Sequence, residues 1–331
     1  MTKNIYLPAT ILCHRPFIAG SFFEDFVKRM EDFKIWIRQN SSHLENKYFF
    51  FKLGHHYETA DRMEYVKQHL PQIQSFAPKL NIIFFCNSLI EQENFKAIGQ
   101  QTIFCNQNVF LRENRYAVTN QKRIYDATYV ARITPIKRHA LSLGIPKLLL
   151  IGDYKENEKD YAEDFLKQAR KNHAVWIRKV YGIFMYRYMN RAQVGLCLSE
   201  REGAMYVSAE YALCGLPVLT TPNKGGRIVT LPMEYCCLLS EDQVTPHGVN
   251  EGVQSLIAKQ YSHYEIRQAA IKLLNDYREA YYDLIHKIFT ETKEGTDKDL
   301  KTALNFPHKW GLRCRVTPFF KYFRTLKIKL K

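Results

Sequence analysis

No run of apolar residues in the 331-residue chain is long enough to cross a bilayer, which takes about 18 or more. The longest runs, KLLLIG at 147–152 and NIIFF at 81–85, have the length of strands. The N-terminal MTKNIYLPATILCHRPF lacks a basic region, a long apolar stretch and a small-residue cleavage site, so it does not read as a signal peptide. These absences predict a cytoplasmic protein. Metal-type cysteine spacing is also missing. The eight cysteines (13, 86, 105, 197, 214, 236, 237 and 314) form no C-x-x-C pair and read as buried, reduced thiols. There is no repeat and no low-complexity tract.

Acidic residues are missing from one segment. Residues 306–331 carry eight Lys or Arg and no Asp or Glu, and the whole chain has a net charge of +15. Over half of the excess charge therefore sits in that tail, interleaved with Phe306, Trp310, Phe319, Phe320, Tyr322 and Phe323. Basic residues among aromatics suit an anionic membrane surface. A tail packed on its own domain, or disordered, is the plainer alternative. Nucleic acid is not an expected partner, because the rest of the chain is only mildly basic.

What is present is a soluble composition, 46% hydrophobic and 24% charged, in strand-like and helix-like segments that alternate. A helical stretch near 22–39 precedes strand 48–53. A helix near 60–76, strand 81–86, a helix near 89–98 and strand 102–105 follow. Residues 106–124, rich in Asn and charge, suit a domain linker. The alternation resumes with strand 128–133, a helix near 138–143, strand 147–152, a helix near 161–171 and strand 174–179. Next come a helix near 182–191, strand 194–199, a helix near 204–214, strands 217–221 and 236–240, and helices near 249–260 and 264–290. This order predicts an α/β protein of two Rossmann-like, doubly wound parallel-sheet domains facing a cleft. Residues 1–123 form a shortened N-terminal domain, 124–290 the second domain, and 291–331 the basic aromatic tail.

The chemistry concentrates after strand 194–199. Ser199-Glu200-Arg201-Glu202-Gly203 leads into a helix whose N-terminus favours an anion. Gly215 is a candidate helix C-cap, Pro217 stops the helix before a strand, and Lys224-Gly225-Gly226-Arg227 makes a second glycine-rich loop. Two glutamates eight apart carry almost no weight by themselves.

The run S-x-x-E-G-x6-E-x-x-x-C-G-x-P-V, followed by a G-G loop, resembles the donor-site signature of retaining GT-B glycosyltransferases of family 4. It matches at Ser199, Glu202, Gly203, Glu210, Ala212, Cys214, Gly215, Pro217, Val218, Gly225 and Gly226. Upstream, TYVARITPIKRH resembles the same family's Y-x-G-R-x-x-P-x-K-G, with Arg132, Pro135 and Lys137 in place. The family's Phe-Gly after Glu-Gly is Ala204-Met205 here, and no glycine-rich loop appears near 10–20.

The resemblance implies transfer of a sugar, with retention, from a UDP-, GDP- or ADP-sugar to a glycan or lipid-linked acceptor. Arg132 and Lys137 would grip the diphosphate. Glu202 would contact the sugar hydroxyls, with the backbone of Gly203, Ala204 and Met205 beside it. Glu210 would accept from the ribose hydroxyls, since a carboxylate suits a vicinal diol. Ser199, Gly225 and Gly226 complete the donor site. His55 is a catalytic candidate at the end of strand 48–53, a surface histidine being the plainer reading; Tyr57 and Glu58 are no better determined. Neither a metal ion nor a bound cofactor is expected. A nucleotide-sugar epimerase of the same architecture and a catalytically degenerate binding protein are the alternatives.

Overall fold

A computed structural model describes residues 4–40, 47–180, 184–309 and 325–329. The chain makes two compact units. One runs to Phe110 and takes the chain up again from Tyr277; the other is Leu111–Asp276.

The first unit opens with two strands that the sequence pattern leaves unassigned. β1 (Asn4–His14) and β2 (Phe17–Phe22) pair antiparallel. The helical stretch read near 22–39 is two helices, α1 (Phe23–Lys28) and α2 (Met30–Asn40), separated at Arg29. Then follow β3 (Lys47–Lys52), α3 (Ala60–Phe76), β4 (Leu80–Cys86), α4 (Leu89–Ala97) and β5 (Gln101–Phe104). Strands β2 to β5 are parallel and lie in chain order. Right-handed crossovers advancing in one direction place all their helices on one face. The Phe run of β3 serves both faces: Phe49 and Phe51 join Phe23, Phe26 and Phe33 under the helices, while Phe50 points the other way.

The second unit contains β6 (Tyr125–Val130), β7 (Leu148–Ile151), α5 (Lys159–Lys171), β8 (Val175–Ile177), α6 (Met185–Met189), β9 (Ala192–Cys197), α7 (Tyr206–Leu213), β10 (Val218–Thr220), β11 (Cys236–Leu238) and α8 (Pro246–Ala258). Its six strands are parallel in the order β8-β7-β6-β9-β10-β11. That is the doubly wound order, with its reversal between β6 and β9. The helix expected near 138–143 is instead two short 3₁₀ turns, Pro135–Lys137 and His139–Ser142, joined at Arg138 with φ +50°. Left-handed backbone there stops an α-helix from propagating. Gly215 ends α7 with φ +72°, as the cap reading required, and a Cβ there would lie 2.4 Å from the His263 carbonyl oxygen.

Helix α9 (His263–Thr292) carries the chain back into the first unit, followed by α10 (Asp297–Leu304) and β12 (Thr325–Lys329). Tyr281, Ile285 and Ile288 of α9, Ala303 of α10 and Phe306 cover the face of the sheet that α1–α4 leave open. Strand β12 pairs antiparallel with β1 at the sheet edge. The first unit thus differs from the doubly wound expectation. Its parallel strands are wound in one direction, and its second face is closed by chain from beyond residue 277. Much of the stretch read as a tail belongs to this unit; residues 310–324, with Trp310, Phe319, Phe320, Tyr322 and Phe323, lie outside the described residues. The linker reading of 106–124 also changes. Asn106 to Leu111 are buried. Burial is tolerated because Asn106 Nδ2 donates to the Asn87 carbonyl (2.9 Å) and Gln107 N–H donates to Asn87 Oδ1 (3.1 Å).

Two buried carboxylates, Glu24 and Glu91, hold the turn beyond the carboxyl end of β3. Glu91 accepts from the Tyr57 N–H (2.9 Å) and the Asn87 N–H (2.6 Å). Burial nevertheless pushes the Glu91 carboxyl up to about 8. Its protonated form is favoured in the fold, so the contribution to stability is full below about pH 4.5 and is lost as pH rises to about 8. Chemical denaturation across this window should show wild-type stability falling, and Glu91→Gln should flatten that slope. An unchanged slope in the variant would refute the assignment.

Candidate functional site

The strand order reverses between β6 and β9, and the carboxyl ends of these strands carry the charged residues. Both loops beyond them are tied down. After β6, Ala131 N–H donates to Ile151 O (3.0 Å) and Ile133 N–H to Asp153 O (2.9 Å). Gly152 lies so close that a Cβ on it would be 1.9 Å from the Ala131 carbonyl oxygen. The turn bearing Lys137 hangs from Tyr129, whose Oη donates to the Lys137 carbonyl (2.6 Å).

After β9 the loop is joined to the loop after β10. Glu202 N–H donates to Lys224 O (3.0 Å), and Lys224 N–H donates to Glu200 O (2.8 Å). Gly225 sits at φ +108°, and a Cβ there would fall 1.6 Å from the Glu202 carbonyl oxygen. Only glycine fits. Beneath this junction Arg227 is fully buried. Its Nη1 donates to Ser199 O (2.6 Å) and Ser199 Oγ (3.2 Å), and its Nη2 donates to Thr221 O. Burial opposes its charge and lowers its pKa, but three acceptors compensate. Nε has no partner among the described residues.

Glu202 is the hub above it. Ser199 Oγ donates to Glu202 Oε1 (2.7 Å), and Lys137 Nζ forms an ion pair with the same oxygen. Lys137 and Glu202 are each largely shielded. Next to Lys137, Arg138 is half-buried, and its Nε and Nη2 lack partners among the described residues. His139 adds no charge: burial, and then Lys137, press its ring down to about 3, so it is neutral at ordinary pH. It packs against Tyr129, with ring centres 4.6 Å apart. Lys137 and Arg227 therefore both act on the Glu202 carboxylate, and Arg138 lies near enough to Arg227 to oppose its charge. Such an excess of fixed positive charge suits an anion.

The structure brings Lys137, Glu202, Ser199 and Gly225 together. Gly226, Gly203, Ala204 and Met205 line the same junction, buried or nearly so. Met205 takes φ +55° as N-cap of α7, a left-handed conformation that glycine would adopt without strain. Arg132 does not join the Lys137 pair. It is about half exposed, and its Nε lies 3.3 Å from Glu158 Oε2. Glu210 lies further along α7, buried, where Tyr116 Oη donates to its Oε1 (2.9 Å). Burial and then the Glu210 charge drive the Tyr116 phenol far up, so it remains a donor. His55 lies in the other unit, exposed on the turn after β3. Its N–H donates to Glu24 Oε1 (3.0 Å), and Tyr57 Oη donates to the same oxygen (2.7 Å). Sequence reasoning missed Arg227 and Arg138 as site residues, although Arg227 directly follows the Gly-Gly pair and Arg138 follows Lys137. Nothing local marks Tyr116, which precedes Glu210 by 94 residues.

No family model and no curated protein matches the sequence. Solved structures do match. Sucrose-phosphate synthase from Thermosynechococcus elongatus aligns with TM-score 0.55 and 12% identity, over 81% of this chain and 78% of its own. The pneumococcal O-GlcNAc transferase GtfA, in complex with UDP and GlcNAc, aligns with TM-score 0.56 and 11% identity over 73% of this chain; the match spans about half of that protein, 53%. Anabaena HepE in complex with UDP aligns at 15% identity with TM-score 0.48, over 73% of this chain and 76% of its own. The chain has the two-unit α/β fold of the GT-B glycosyltransferases.

Gly225→Ala should break the junction of the two loops, since the methyl group meets a carbonyl and the backbone is left-handed. A loss of about 2 kcal/mol or more is expected in denaturant unfolding. A variant as stable as the parent would refute the close approach.

Proposed function

We propose that the chain is a retaining, metal-independent glycosyltransferase that moves a hexose from a nucleoside diphosphate sugar to a glycan or lipid-linked acceptor. The observation that carries this reading is the pair of cations acting on Glu202, Lys137 and Arg227, with Arg138 beside Arg227, at the switch point of a doubly wound sheet. Ligands of such sheets sit beyond the carboxyl ends of the strands at that point. The fold is that of glycosyltransferases, and one of the aligned structures holds UDP and GlcNAc. That makes a uridine nucleotide the first donor to try.

The chemistry follows from charge. As the bond from the anomeric carbon to the phosphate breaks, negative charge grows on the departing diphosphate. Cations fixed in advance stabilise that charge more than they stabilise the bound donor. Lys137 turns from Glu202 to the phosphate, and Arg138 and Arg132 lie on the same loop to assist. Glu202 keeps its bond from Ser199 and meets the sugar hydroxyls. Glu210 accepts from the ribose, with Tyr116 fixing its orientation. With the cations in place, no divalent ion is needed to neutralise the diphosphate. The acceptor, and His55 as a group facing it, belong to the unit of β1–β5. A role in making cell-surface polysaccharide or glycoconjugate fits such an acceptor.

Lys137→Ala and Glu210→Ala should each lower sugar transfer by about 10²-fold or more. Both should keep the parent's far-UV spectrum, and chelator should leave parental activity unchanged. A thermal-shift screen of UDP, GDP and ADP should give stabilisation by one of the three, about 2.7 kcal/mol at a hundred times Kd. Full activity in both variants would remove the site from this role.

A further inference from the structure

The opposite ends of β6 and β9 carry a second feature that the donor reading does not use. The segments 117–125 and 184–191 contain no Asp or Glu. They are fastened together by backbone and amide bonds. Ile124 and Tyr125 N–H both donate to Arg191 O (2.9 and 3.0 Å), Thr119 N–H donates to Asn190 Oδ1 (2.9 Å), and Asn190 Nδ2 donates to Ala117 O (2.7 Å). Arg123 is spent on this framework, with Nη1 donating to Ala192 O (2.6 Å).

The remaining cations face outward. Gln121, Phe184, Arg187, Tyr188 and Arg191 line a shallow depression of about 280 Å³, and Lys122 and Ile124 extend it. Among the described residues, Lys122, Arg187 and Arg191 have no carboxylate partner. Two large apolar side chains stand exposed beside them, Phe184 at 57% and Ile124 at 40%. A patch of cations without carboxylate partners, rimmed by exposed apolar groups, has the make-up of a surface that lies on anionic lipid. A nucleic acid strand would want open aromatic faces for its bases. Here the Arg187 guanidinium already lies over the Phe184 ring at 6.0 Å, and Arg191 lies over Tyr125 at 5.5 Å.

We propose that the patch formed by Lys122, Ile124, Phe184, Arg187 and Arg191 is a peripheral docking surface for an anionic phospholipid bilayer. The cations meet headgroup phosphates while Phe184 and Ile124 enter the interface. Because the patch and the donor site occupy opposite ends of the same strands, either can be occupied without the other.

The full chain should co-sediment with vesicles of equimolar phosphatidylglycerol and phosphatidylcholine, and not with vesicles of phosphatidylcholine alone. The binding should weaken steeply with added salt. Arg187→Glu with Arg191→Glu should lower the partition coefficient at least about tenfold, and Lys122→Glu or Phe184→Ser by a smaller factor. Parental unfolding midpoints would show that the exposed substitutions spare the fold. Variants that sediment like the parent would overturn the proposal and move any membrane contact elsewhere on the chain. Retention on single-stranded DNA in preference to the anionic vesicles would overturn it too.

Discussion

A guanidinium with no exposed surface joins the carboxyl ends of two parallel strands. Arg227 reaches the last carbonyls of the β9 and β10 segments at once, through Ser199 and Thr221, and its hydrogen bond to Ser199 Oγ continues to Glu202 and so to Lys137. Burying such a charge without acceptors would cost several kcal/mol. Here strand-end carbonyls serve as its partners. The loops after β9 and β10 therefore do not depend on a ligand to bring them together. Gly225 removes the side chain that would hold the loops apart, and Arg227 supplies the charge that holds them.

The part of the site that could be read from sequence is the part that local stereochemistry dictates. Gly215 and Gly225 lie where left-handed backbone and close approaches exclude other residues, and Pro217 stands between the end of α7 and the start of β10. The spacing of Ser199 and Glu202 is likewise local, and they share a hydrogen bond. What could not be read is partnership at a distance. Tyr116 meets Glu210 across 94 residues, and Glu24 meets the His55 turn across 31. Arg132 is another partnership at a distance. Its ion pair with Glu158, from a different loop, is marked by nothing in the motif.

The fold was legible to the same degree. The second unit, built of short apolar strands between helices, follows the pattern in the sequence because its central strands β7, β9 and β10 are largely buried. The first unit was harder. Its opening hairpin contains Pro8 and Pro16, and small residues such as Ala9, Ala19 and Gly20 blunt the period of two that marks a strand. Its second face is covered by residues near 281–306, far beyond the stretch in which a pattern search would look for a partner.

That return of the chain also bears on the order of folding. During synthesis β1–β5 emerge first, yet Phe50, Ile83 and Phe85 stay uncovered until Tyr281, Ile285, Ile288 and Phe306 have been made. The second unit is continuous from Leu111 to Asp276 and needs nothing that follows it in sequence to complete its sheet. It can be finished while the older half still exposes an aromatic surface. The middle of the polypeptide is thus the part able to mature first, and the aromatic sheet made before it is the one whose exposure a chaperone would have to manage.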